Sequence, residues 1–174
     1  PLYWLSRVAR LNEVNRITAN ASVKYDIIPG LYIKAGAYGY MFEALSQSFQ
    51  KSTQTYAQLY AVPPTFSTSR DAIMSFSRTF QQQYNLIANY TKTFHDVHNV
   101  NVMLGTEYFG QKNLSMQVYG QNAPTDDITT PNASTTFATG NNTGSRSAYS
   151  IVSHFGRLNY DYDQRYLLTM VYRS

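Results

Sequence analysis

Arg16-Ile17-Thr18-Ala19-Asn20-Ala21-Ser22-Val23-Lys24-Tyr25-Asp26-Ile27 alternates polar and apolar side chains without an error. Period two over such a run specifies an extended strand with one apolar and one polar face. Strands of compact soluble domains have a mode of roughly 5–6 residues, whereas a tilted strand crossing a bilayer needs about 9–11. The apolar set, Ile17, Ala19, Ala21, Val23, Tyr25 and Ile27, carries no charge, as hydrocarbon requires. The polar set carries both signs, which a water-filled lumen tolerates.

Working outward, the alternation recurs in hairpins. The chain predicts strand pairs over about 11–42, 77–109 and 149–174, with short turns at Pro29-Gly30, at His95-Asp96-Val97-His98 and near Asp161–Gln164. Pro and Gly together fix a tight turn. Tyr84, Leu86, Ala88, Tyr90 and Phe94 share one face of the second pair, interrupted by Lys92; Gln83, Asn85, Asn89, Thr91 and Thr93 share the other, with Ile87 the exception. Two polar segments, about 43–76 and 111–148, read as long loops, both on the side opposite the short turns. Outer-membrane barrels have this sidedness, with short periplasmic turns and longer outer loops. Within 31–42, Leu31, Ile33, Ala35 and Ala37 oppose Tyr32, Lys34, Tyr38, Tyr40 and Phe42. Which set joins the apolar face depends on turn register, because one residue of slip flips every side chain.

Composition bounds the alternatives. The 174 residues include 16 Tyr and 9 Phe but one Trp, with 43% hydrophobic and 14% charged residues. Tyr25, Tyr32, Tyr90, Phe94, Tyr160, Tyr162 and Tyr166 cluster beside the short turns, where amphipathic rings form the girdles of barrels. High strand propensity of Tyr accounts for part of this excess. No stretch approaches the ~20 consecutive apolar residues of a membrane helix. With no Cys there is no thiolate metal site or Cys nucleophile. Net charge is +4, but the 14 Lys and Arg are scattered, with no run of the kind that tracks phosphates, so nucleic acid is not an expected partner. The chain opens on Pro1-Leu2-Tyr3-Trp4 and ends inside what reads as a strand, and so reads as a piece of a larger protein.

Candidate sites are sparse. No catalytic constellation, cofactor motif or metal cluster is expected. His95, His98 and Asp96 read as turn residues, and Asp126-Asp127 lacks the ligand spacing of a calcium loop. Arg157, Arg165 and Arg173 share an odd-numbered face with Asn159 and read as structural residues facing a lumen. Loop aromatics Tyr56, Tyr60, Phe66, Tyr119 and Phe137 are the candidate ligand-binding residues, since sugar faces stack on rings while nearby Gln, Asn and Thr can bond hydroxyl or peptide groups.

Ser153-His154-Phe155-Gly156-Arg157-Leu158-Asn159-Tyr160-Asp161-Tyr162, followed by Arg165-Tyr166-Leu167-Leu168-Thr169 and Arg173-Ser174, resembles the SusC-like TonB-dependent transporters of the Bacteroidetes outer membrane. That family carries Phe-Gly-Arg-x-Asn-Tyr and then Lys/Arg-Tyr-Leu on successive strands. Tyr84 to Glu107, with His98 after a short turn and Gly105-x-Glu107, is similar to its middle section; Pro1-Leu2-Tyr3 and Pro29-Gly30-Leu31 also fit. The resemblance implies an all-β, antiparallel transmembrane barrel segment, about six strands of a barrel of about twenty-two. It implies a plug domain outside this chain, a SusD-like surface lipoprotein as lid, energy from TonB, and import of glycans or peptides across the cell outer membrane. A secreted β-rich carbohydrate-binding module without transport is the alternative. Neither is an enzyme.

Overall fold

The computed structural model describes residues 2–55 and 65–174. After a five-residue helical stretch, Leu2–Ser6, the described residues form antiparallel strands. The long ones are β1 (Val8–Ile28), β2 (Leu31–Gln50), β5 (Ala72–Phe94), β6 (His98–Gln121) and β8 (Thr143–Tyr162), with the shorter β9 (Tyr166–Arg173) last. They pair in the order β1-β2-β5-β6-β8-β9, so β1 and β9 end the row and the sheet does not close on itself. Small strands β3 (Thr53–Thr55) and β4 (Thr65–Ser67) pair with each other, and β7 (Thr136–Phe137) pairs with β6. An all-β, antiparallel segment of a barrel wall is therefore the fold.

The strands run further than the alternation suggested. The expected loops 43–76 and 111–148 are strand over much of their length, and what joins the long strands is 51–71 and 122–142. The signal was present in part: Leu114, Met116 and Val118 alternate with Asn113, Ser115 and Gln117. Around these residues, Ser, Thr and Gln appear on both faces and dilute the period.

The turns explain how the strands reverse. Gly30 has φ +88°, a left-handed conformation that a Cβ would strain, and its carbonyl accepts from the Thr91 N–H at 2.8 Å. His95 and Asp96 (φ 50° and 58°) and Asp163 and Gln164 (φ 50° and 57°) supply paired left-handed residues in the other two reversals. Consecutive left-handed residues match the right-handed twist of hairpin strands, which is why Asn-Gly is the usual choice there.

The chain divides into two compact units. The first comprises residues 1–16, 42–79 and 113–147; the second comprises 17–41, 80–112 and 148–174. In the first, Phe49, Ala72 and Ala123 are buried together, with Ala133 against them. In the second the order is inverted. Asn89 and Ser153 are its buried polar residues, while Val23, Tyr25, Tyr84, Leu86, Leu104, Val152, Tyr166, Leu168 and Met170 are exposed.

Register within the second unit assigns the faces. Lys24 Nζ lies 4.4 Å from the Tyr32 ring centroid, and the space above Gly36 is filled by the Asn85 amide. Even-numbered residues of β1 and β2 therefore share a face with odd-numbered residues of β5. In 31–42 the turn register places Ile33, Ala35 and Ala37 with Ala21 and Val23 on the apolar side, and Tyr32, Lys34, Tyr38 and Tyr40 on the polar side. Between β8 and β9 the partners Phe155↔Arg173, Arg157↔Val171, Asn159↔Thr169 and Asp161↔Leu167 form one face. Leu158↔Met170, Tyr160↔Leu168 and Tyr162↔Tyr166 form the other.

Candidate functional site

In the second unit the polar face is a lattice of side-chain amides. Because period two places every second residue of neighbouring strands side by side, polar partners meet in rows. Gln81 Nε2 donates to Gln111 Oε1 at 2.8 Å, and Gln83 Nε2 to Glu107 Oε2 at 2.8 Å. Asn101 Nδ2 donates to Thr91 Oγ1 at 2.6 Å and to Asn89 Oδ1 at 3.2 Å; Thr93 Oγ1 donates to Asn99 Oδ1 at 2.6 Å. Each amide so paired still has further donor or acceptor capacity. The Phe155 ring packs against the backbone of Gly105, where any Cβ would collide with it, and so joins Ile87 as an apolar side chain on this mostly polar face.

The arginines and Asn159 divide as follows. Arg173 Nη2 donates to Glu107 Oε1 at 3.3 Å, an ion pair on the polar face. Arg157 and Asn159 stand on that same face of β8, and Arg157 has no acid partner among the described residues. Arg165 differs. It sits in the reversal between β8 and β9, where its N–H donates to the Tyr162 carbonyl at 2.9 Å and its Nε lies 3.3 Å from Asp163 Oδ2. Counting parity through the turn gave it a strand face that it does not have.

In the first unit, four segments meet at one carboxylate. Asp126 accepts from Arg7 Nη2 (2.9 Å), Arg70 Nε (2.7 Å), the Ser52 backbone N–H (2.9 Å) and the Ser52 hydroxyl (2.9 Å). Arg7 Nε also donates to the Ser52 carbonyl at 2.8 Å, and Arg70 Nη1 to the Ala123 carbonyl at 3.1 Å. Burial alone would raise this carboxyl. The Ser52 N–H, the Arg70 guanidinium and the Ser52 hydroxyl outweigh it and hold Asp126 at about 2. Both Asp126 oxygens are thus engaged by guanidinium and Ser52 donors, and no group of three or more His, Asp or Glu placed to hold a metal ion occurs among the described residues. Arg7, Ser52 and Arg70 escaped the sequence reading because they are brought together only by the fold.

The aromatic candidates do not form one site. Tyr56 and Tyr60 lie outside the described residues. Phe66 stands on β4 opposite Gln54 and is exposed. Phe137 pairs with Gly120 and covers it, exposed on its outer side. Tyr119, one residue before Gly120, is half-buried; its N–H donates to Asn142 Oδ1 at 2.7 Å. Burial, and then the Asp71 carboxylate beside it, raise its phenol above the ordinary value.

No family model and no curated protein sequence matches the chain. Solved structures do. Structures of the RagAB peptide transporter, including the importer in its "open-open" and "closed-closed" states, superpose with a TM-score of 0.86 over 99% of this chain at 16% identity. The chain spans 18% of the length of the transporter chain it matches. At this identity the likeness establishes the fold alone, an antiparallel all-β sheet matching part of that chain.

Proposed function

We propose that this chain forms part of the barrel of an outer-membrane importer of the SusC-like, TonB-dependent kind. Residues 17–41, 80–112 and 148–174 would cross the bilayer, with the short turns on the periplasmic side and residues 51–71 and 122–142 outside. The observation that carries this reading is the inverted second unit: exposed Val23, Leu86, Leu104, Leu168 and Met170 on one face, bonded amides on the other. Water would penalise that apolar surface at about 25 cal/mol per Å2, whereas lipid does not. The fold likeness to a peptide transporter adds to it.

On this reading the substrate does not react. It is captured outside, between barrel and a SusD-like lipoprotein, and released past a plug displaced through TonB. Plug and TonB-contacting segment belong to sequence beyond residues 1–174. Tyr56, Tyr60, Phe66, Tyr119 and Phe137 are the residues offered for capture; Arg157, Asn159 and Arg173 line the lumen structurally. Of the two substrate classes, peptide has the support of the structural likeness, and glycan that of the family resemblance alone.

The test is uptake by cells carrying the full-length gene, of labelled oligopeptides and of labelled oligosaccharides, with and without TonB. TonB-dependent accumulation of either supports the importer. A parent protein that partitions into the aqueous phase without detergent, and captures sugar without transporting it, supports the carbohydrate-binding module instead.

A further inference from the structure

We propose that the apolar face of the second unit carries a seat for one phosphorylated lipid of the outer leaflet. The seat rests on the membrane reading above and goes beyond it.

Its headgroup end is a hollow of about 270 Å3 on the outward side of β5, β6 and β8, floored by Gly110, Ala148 and Ser150 and framed by Phe80, Gln82 and Lys112. The Tyr108 hydroxyl overhangs it, 2.9 Å from where a Cβ on Gly110 would stand. Lys112 is exposed and has no acid partner among the described residues. An ammonium on a lipid-facing strand is costly unless something neutralises it. Gln82, Ser150 and the Tyr108 hydroxyl surround it with neutral donors, the set that suits a phosphate on a polar headgroup. Lys92, on the same face, differs: its Nζ lies 5.0 Å from the Phe94 ring centroid and already has a partner.

The tail end is a second hollow of about 500 Å3, lined by Ala21, Val23, Ala35, Ala37, Leu86 and Thr106 with the rings of Tyr84 and Tyr108. The two rings stack at 6.1 Å, and Tyr108 borders both hollows. Along β6, Lys112 stands on the long-connection side of Thr106, roughly 20 Å away at a rise of about 3.3 Å per residue. A lipid placed with its phosphate at Lys112 would run its acyl chain toward mid-bilayer, which is the orientation of an outer-leaflet lipid.

The full-length barrel, purified in mild detergent, would be incubated with monophosphoryl lipid A, phosphatidylglycerol or phosphatidylcholine and weighed intact by native mass spectrometry. The expected result is retention of one monophosphoryl lipid A, reduced about tenfold by Lys112→Gln and restored by Lys112→Arg. Lys92→Gln should leave it unchanged. Ala37→Leu, which fills the tail hollow and spares the cation, should also lower retention. Equal retention by Lys112→Gln and Lys92→Gln overturns the seat alone, as does preferential retention of phosphatidylglycerol or a bound second copy in place of lipid. A parent protein that needs no detergent overturns the membrane reading and the seat with it.

Discussion

The two units solve opposite problems with one kind of strand. Residues 1–16, 42–79 and 113–147 bury Phe49, Ala72 and Ala123 and tie their connections to Asp126. Residues 17–41, 80–112 and 148–174 bury Asn89 and Ser153 and leave their aliphatic side chains outside. The lesson is that burial alone does not identify a core. What distinguishes the units is which face of each strand finds protein partners.

The largest expected effect breaks the second unit. Val23→Arg should cost about 2–4 kcal/mol if Val23 faces lipid near the midplane, whereas Ser22→Arg should cost little. Folded yield of the full-length barrel in detergent compares them, and equal tolerance would dissolve the contrast. Next, Asp126→Ala removes the acceptor shared by Arg7 and Arg70, leaving each guanidinium only its remaining bonds to Ser52 or to the Ala123 carbonyl. A local loss of about 2–3 kcal/mol is expected. It should appear as faster hydrogen exchange in 51–71 and 122–142, with exchange in the second unit unaltered.

Acid offers a milder probe of the same carboxylate. Its folded value lies below the ordinary 3.8, so its contribution is complete above that value and disappears as pH falls through about 2. The loss is about 2 kcal/mol at most, discounted because the side chain is a quarter exposed. Normalised to an unstructured control peptide in the same solution, pepsin cleavage within 122–142 of the folded barrel should therefore be faster at pH 2 than at pH 4, a difference that Asp126→Ala should abolish. The smallest effect belongs to a turn. Asp163→Asn with Gln164→Gly suits two left-handed residues better, and should raise stability by about 0.5–1 kcal/mol in a denaturant titration.

How much of this was written in the sequence follows from the range of each interaction. The face of β1 was legible because alternation is local and runs unbroken from Arg16 to Ile27. The face of 31–42 was not, since both its candidate sets contain bulky residues and the choice lies in the turn register. Strand ends near Gln50, Ala72, Gln121 and Thr143 were missed where polar residues occupy both faces. The meeting of Arg173 with Glu107 carries no local mark either, because the two lie 66 residues apart. Arg165 was misplaced by a single turn. The Asp126 site was hidden altogether, because Arg7, Ser52 and Arg70 carry no local mark of their meeting.

One consequence of the strand order concerns assembly. Each long strand pairs only with the long strand that precedes or follows it in the chain, from β1 through β9. Such a meander can grow by one hairpin at a time, and each addition closes only the short loop needed to reverse the chain or a local connection. Its growing edge always offers a complete row of backbone donors and acceptors to the next strand. A pair of strands could therefore be gained or lost in evolution without rewiring the rest, provided the alternation of its side chains kept step.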